Sequence, residues 1–146
     1  MKLKLLMIKE SSNVKILSSK DVAALMAEEA KADRECFWVL HLTTSGLLIE
    51  KELVSMGSLN TAIVEPREVF KKAILLGASR IITVHNHPGK QAEPSSDDLR
   101  VWKKLVKCGS ILGIPVIDNL IVAPDKRLYS LQEDKPYDAE LDIEHV

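Results

Sequence analysis

The chain has 146 residues, a formal net charge of −1 and 46% hydrophobic residues, which is typical of one soluble globular domain with a real core. It contains no run of 18 apolar residues and no secretory signal, so we predict no membrane association. Residues 132–146 carry six acidic residues and one lysine, which leaves the rest of the chain with a formal net charge of only +4. That balance is too small to indicate nucleic-acid binding by itself. Cys36 and Cys108 have no CxxC partner, which favours a reduced, cytoplasmic protein.

Helical and strand patterns alternate along the chain. A short apolar segment, 1–17, is expected to be a strand or an arm that could pair across a homodimer. The predicted elements that follow are a helix from Ser18 to about Ala32, strands over 36–43 and 47–56, a helix over 66–76, a strand over 81–84, a helix over 96–108 and strands over 115–122 and 127–131. Gly77 and Gly109 are expected to end their helices. This order predicts an α/β sandwich with a mixed sheet.

The end of the strand at 81–84 carries the most informative motif, His85-Asn86-His87. Residues two apart in a strand share a face, so both imidazoles are expected to converge where the strand ends. Asp98 adds a carboxylate from the start of the next helix. Two histidines and one aspartate suit Zn²⁺ with its fourth position left open, which is typical of a catalytic site. Ser95-x-x-Asp98 also has the pattern of a helix capping box, and the two interpretations are compatible.

The spacing His85-x-His87, seven residues, Ser95, two residues, Asp98 resembles the metal motif of JAMM (JAB/MPN) metalloprotease-type domains. The local sequence is similar to the RadC family of bacterial JAB-domain proteins over about 34–131. Three further segments carry the likeness: Gly57-Ser58-Leu59-Asn60, Pro66-Arg67-Glu68-Val69-Phe70 and Leu112-Gly113-Ile114. The chain has Gly89-Lys90 where the family usually has Ser-Gly, but neither position is an expected ligand.

The resemblance implies a domain organisation and a function. It implies an N-terminal segment and helix at 1–33, a JAB/MPN domain of cytidine-deaminase-like architecture at 34–131 and an acidic tail at 132–146. It also implies a short stand-alone form without the family's N-terminal helix-hairpin-helix region, which weakens the case for DNA binding. The function expected is a zinc-dependent hydrolase of a peptide or isopeptide bond. The alternatives are a DNA-repair-associated or mobile-element accessory protein without proteolytic activity, and a scaffold.

A JAMM-type hydrolase also needs a general base, which the resemblance places on an upstream strand. Glu50 and Glu52 lie two apart on the second predicted strand and would share a face. Glu52 lies five residues before Gly57, where RadC-like sequences carry an acidic residue, so it is the predicted general base, with Glu50 second. Ser95 is expected to donate a hydrogen bond to the developing oxyanion. The alternative is that both glutamates are simply exposed on an edge strand.

Overall fold

The computed structural model describes residues 13–57, 64–89, 92–125 and 127–134. The predicted N-terminal arm lies largely outside these residues, as does most of the acidic tail. Within the described residues, helices are too short or too polar to cross a membrane.

A five-stranded mixed sheet forms the centre of the fold. The elements in chain order are α1 (Ser19–Leu25), β1 (Cys36–Leu42), β2 (Leu48–Met56), α2 (Pro66–Leu76), β3 (Arg80–Asn86), α3 (Ser96–Leu112), β4 (Val116–Val122), β5 (Leu128–Ser130) and α4 (Leu131–Asp134). The strand order is β2-β1-β3-β4-β5, in which β3 and β4 are parallel and all other neighbours are antiparallel. The predicted α/β fold with a mixed sheet is confirmed.

Both faces of the sheet are covered, and the central strands β1 and β3 are therefore buried along almost their whole length rather than at alternate positions. One face packs against α1 in a cluster that includes Val22 and Leu40. The other face packs against α2 and α3 in a cluster that includes Phe70. Because side chains alternate along β3, His85 faces α3, whereas Asn86 faces the side of α1.

Two helix ends differ from the sequence prediction. The first helix ends at Leu25, and a separate 3-10 turn, Glu29–Lys31, follows it. Helix α3 continues through Gly109 to Leu112 and ends at Gly113, which has a φ of 77°. An added Cβ at Gly109 would lie 2.6 Å from the carbonyl oxygen of Ile114. Glycine at 109 therefore permits a close backbone contact and does not end the helix.

This contact leads to a stability prediction for Gly109→Ala. We expect the variant to lower the free energy of unfolding by about 1–3 kcal/mol, because the new methyl group would meet a backbone oxygen that cannot rotate away. Alanine would otherwise favour the helix by about 1 kcal/mol over glycine. Urea unfolding monitored by circular dichroism measures the change. Ser110→Ala, at the exposed next position, is the control and should stay within about 0.5 kcal/mol of the wild type. A Gly109→Ala protein as stable as this control would contradict the prediction.

Candidate metal centre

The structure brings the three predicted ligands together in one buried group. His85 lies near the end of β3, His87 directly follows that strand, and Asp98 comes from the first turn of α3. The Nε2 atoms of the two histidines are 3.1 Å apart. Asp98 Oδ1 lies 3.4 Å from His85 Nε2, and Asp98 Oδ2 lies 3.4 Å from His87 Nε2. This group could hold a metal ion.

The separations of the donor atoms fit a tetrahedral ion. Zinc bonds to imidazole nitrogen and carboxylate oxygen are about 2.0–2.2 Å long, so two ligand atoms on one tetrahedral ion lie about 3.3–3.6 Å apart. The two imidazole nitrogens are 3.1 Å apart, and each lies 3.4 Å from a different oxygen of Asp98, which is close to that range. The side chains would need only small movements to share one ion, and three protein ligands would leave a fourth position free.

The protonation states also suit metal binding. Burial lowers the pKa of His85, so its imidazole is neutral and can offer a lone pair. Burial acts to raise the pKa of Asp98, but the imidazoles of His85 and His87 beside it outweigh burial and hold that pKa well below its usual range. Asp98 is therefore a carboxylate. A neutral imidazole and an ionised carboxylate are the forms that coordinate metals.

Local structure fixes the orientation of Asp98. Ser95 is the N-cap of α3, and its Oγ accepts a hydrogen bond of 3.1 Å from the backbone N–H of Asp98. In return, the backbone N–H of Ser95 donates to Asp98 Oδ2 at 2.9 Å. The predicted capping box is thus present, and it holds the ligand carboxylate in place. Ser95 lies at the edge of the group, where it is exposed.

Aromatic packing fixes the ring of His85. Phe37 stacks against this imidazole with ring centroids 6.3 Å apart, and Trp102 lies against it at 5.9 Å. The Nδ1 atom of His85 has no hydrogen-bond partner among the described residues. Histidine ligands usually donate from this second nitrogen to a neighbouring oxygen. Here the apolar walls hold the ring instead.

The structure does not bring Glu52 or Glu50 to this group. Glu52 Oε1 lies 2.8 Å from Nε2 of the buried His41, and Glu50 Oε2 lies 2.6 Å from Lys72 Nζ. Both glutamates are on β2, which β1 separates from the ligand strand β3. The carboxylate of Glu52 is thus paired with His41, and the role of Glu52 as general base stays a prediction.

A different carboxylate, Glu35, lies beside the ligands. Its Oε1 atom is 4.0 Å from Nε2 of His87, and it is the residue directly before β1. The antiparallel register of β1 and β3 pairs Phe37 with His85, and the same register carried two residues further places position 35 opposite His87. Sequence reasoning missed Glu35, although an acidic residue directly before a long apolar strand was a visible signal.

Comparison with known proteins identifies the family. The family model for the RadC-like JAB domain matches residues 16–136. The chain belongs to this family. A RadC-like relative from Caldanaerobacter subterraneus subsp. tengcongensis, designated UPF0758, is 45% identical over 138 residues, which cover 94% of this chain and 59% of that protein. UPF0758 relatives from Methanosarcina acetivorans and Bacillus mycoides are each 44% identical and cover 86% and 81% of this chain.

The chain spans little more than half the length of these RadC-like relatives. The matched regions make up 59%, 55% and 52% of the three proteins. The designation UPF0758 states no activity. The family therefore establishes the fold and the JAB domain, and any function must be argued from the site.

Proposed function

We propose that this chain is a zinc-dependent metallohydrolase of the JAMM type that cleaves a peptide or isopeptide bond. The observation that carries the proposal is the buried His85, His87 and Asp98 group with a further carboxylate, Glu35, next to it. When bound there, zinc would supply a Lewis acid that polarises a carbonyl group and lowers the pKa of water to about 7. The open fourth position that three ligands leave is what hydrolysis requires.

Glu35 takes the role of general base in this proposal. Its carboxylate lies within reach of the position that the ligands surround, but it is not one of the three clustered ligands. Glu35 is half-buried, so it is close to the ligands and still reachable by water and substrate. From this position it accepts a proton from the attacking water and delivers it to the leaving amine. Glu52 does not take this role in the proposal, since its carboxylate is paired with His41.

Ser95 stabilises the charge that develops on the substrate carbonyl oxygen. Its Oγ uses one lone pair to accept from the backbone N–H of Asp98, which leaves its own O–H free to donate. Exposure at the N-terminus of α3 allows that hydroxyl to meet a substrate. A positioned donor of this kind is typically worth about 10²–10³-fold in turnover. The proposed partner is therefore a peptide or protein that presents an amide carbonyl at this helix end.

Metal content tests the proposal directly. After reconstitution with zinc and dialysis, elemental analysis of the wild-type protein should give about one ion per chain, as in other sites with three protein ligands. His85→Ala should lose the ion, because it removes a buried ligand of the group. His41→Ala is the matched control, since His41 is an equally buried histidine on the neighbouring strand β1 and should not affect zinc. A wild-type protein without zinc, or a His85→Ala protein that retains it, would overturn the proposal.

A further inference from the structure

Asn86 lies between the two histidine ligands and is completely buried. Because side chains alternate along β3, its amide points to the opposite face of the sheet from His85 and His87. The amide therefore does not face the metal position, and the mechanism proposed above gives it no role. A buried primary amide loses its hydrogen bonds to water, so it must find partners within the protein.

The partners of Asn86 lie on both sides of Glu35 in the sequence. Asn86 Oδ1 accepts a hydrogen bond of 2.7 Å from the backbone N–H of Cys36. Asn86 Nδ2 donates to the carbonyl oxygen of Arg34 at 2.9 Å and to that of Ala32 at 3.4 Å. The amide thus binds the backbone directly before and directly after Glu35.

These contacts matter because Glu35 lies outside the regular sheet. Strand β1 begins at Cys36, and its pairs with β3 begin at Phe37. The carbonyl oxygen of Glu35 itself accepts from the backbone N–H of Gly57, which ties it to the end of β2. Asn86 ties this segment to β3, the strand that contains His85 and leads directly into His87. One strand thus holds two ligands on one face and the backbone of Glu35 on the other.

We infer that Asn86 is a positioning residue that holds the Glu35 carboxylate against His87. The side-chain amide fixes the peptide groups that flank Glu35, and so it fixes the point from which that carboxylate extends. The catalytic meaning of this contact rests on the proposed function, but the contact itself does not. The tripeptide His85-Asn86-His87 therefore links two of the three proposed ligands to the proposed general base.

Hydrogen exchange tests the contact without any substrate. In Asn86→Ala, the backbone amide of Cys36 loses its acceptor and should exchange about tenfold faster or more. Asn119→Ala is the matched control, because Asn119 is also a buried amide in the same sheet, on β4, where it accepts from Thr83 Oγ1. The Cys36 amide should be unchanged in this control. Both variants should keep the zinc content of the wild type, since neither residue is a ligand.

A double-mutant cycle separates positioning from general destabilisation. On a substrate cleaved by the wild type, Asn86→Ala should lower kcat with little change in KM. In a Glu35→Gln background, the same Asn86→Ala change should cause almost no further loss, because the group that it positions is already inactive. A merely structural role for Asn86 would lower kcat by a similar factor in both backgrounds, and that result would overturn the inference.

The wild-type protein provides a second measurement if Asn86→Ala does not fold. A Cys36 amide that is as unprotected in the wild type as an exposed loop amide would overturn the inference. Where Asn86→Ala does fold, a crystal structure of the variant in which Glu35 stays within the same distance of His87 would also overturn it. These results are separate from the failure of the proposed function, which a wild type without zinc would reveal while Cys36 remained protected.

Discussion

Replacing Glu35 with glutamine is expected to lower the turnover of the zinc-loaded protein by about 10²–10⁴-fold, the usual contribution of a positioned acid–base group. Glutamine has the same shape as glutamate but cannot take up the proton of the attacking water. Glu35 is not among the clustered ligands, so the variant should keep its zinc. The measurement is cleavage of a peptide and isopeptide library by the wild type, followed by kcat of the variant on the substrates found.

Glu52→Gln is the control for this prediction. It removes a carboxylate from β2, which β1 separates from β3. That carboxylate is paired with His41 on β1. Turnover should therefore stay within a few-fold of the wild type. If Glu52→Gln were inactive and Glu35→Gln active, the general base would be Glu52, as the sequence alone indicated.

Replacing Trp102 with alanine is expected to lower the free energy of unfolding by about 3–5 kcal/mol, as for other fully buried large aromatic residues. Trp102 stacks on Tyr129 with ring centroids 6.1 Å apart and also lies against His85. The cavity left by alanine would remove one of the two walls that orient the His85 imidazole. We therefore expect weaker zinc binding as well as lower stability.

Urea unfolding in the presence of a chelator measures this change, because bound metal would stabilise the native state and mix the two effects. Trp102→Phe is the matched variant. Its ring still fills most of the site, and the Nε1 atom that it removes has no hydrogen-bond partner in the described part of the chain. We expect it to cost no more than about 1.5 kcal/mol. If Trp102→Ala were as stable as Trp102→Phe, the packing argument would be wrong.

The grouping of the three proposed metal ligands could be predicted from the sequence because the relations between them are local. Alternation in a strand places His85 and His87 on one face, and a capping pattern places Asp98 at the start of the next helix. The pairing of β1 with β2 is also local, because the two strands follow one another directly in the sequence. The proposed general base, Glu35, could not be placed in this way. Its position depends on which strand of that pair lies next to β3, and only the assembled sheet decides this.

The end of α3 illustrates the same limit. A glycine after an apolar helical pattern can end the helix, or it can allow another segment to approach the helix closely. Gly109 and Gly113 occur four residues apart, and the sequence pattern does not distinguish them. The carbonyl of Ile114 lies against Gly109, whereas Gly113 takes the left-handed conformation at the helix end. Both facts depend on how the chain folds back toward β4.

The three ligands lie within 14 consecutive residues, from His85 to Asp98. An unfolded chain keeps these side chains near one another, so under the proposed function the denatured state would retain some affinity for zinc. A metal that binds both states stabilises the fold by less than its native affinity implies. The contact of Asn86 with Cys36, by contrast, joins positions 50 residues apart and exists only after folding. A zinc ion would thus be able to bind a nascent chain early, but the arrangement that would make it catalytic appears only when β1 pairs with β3.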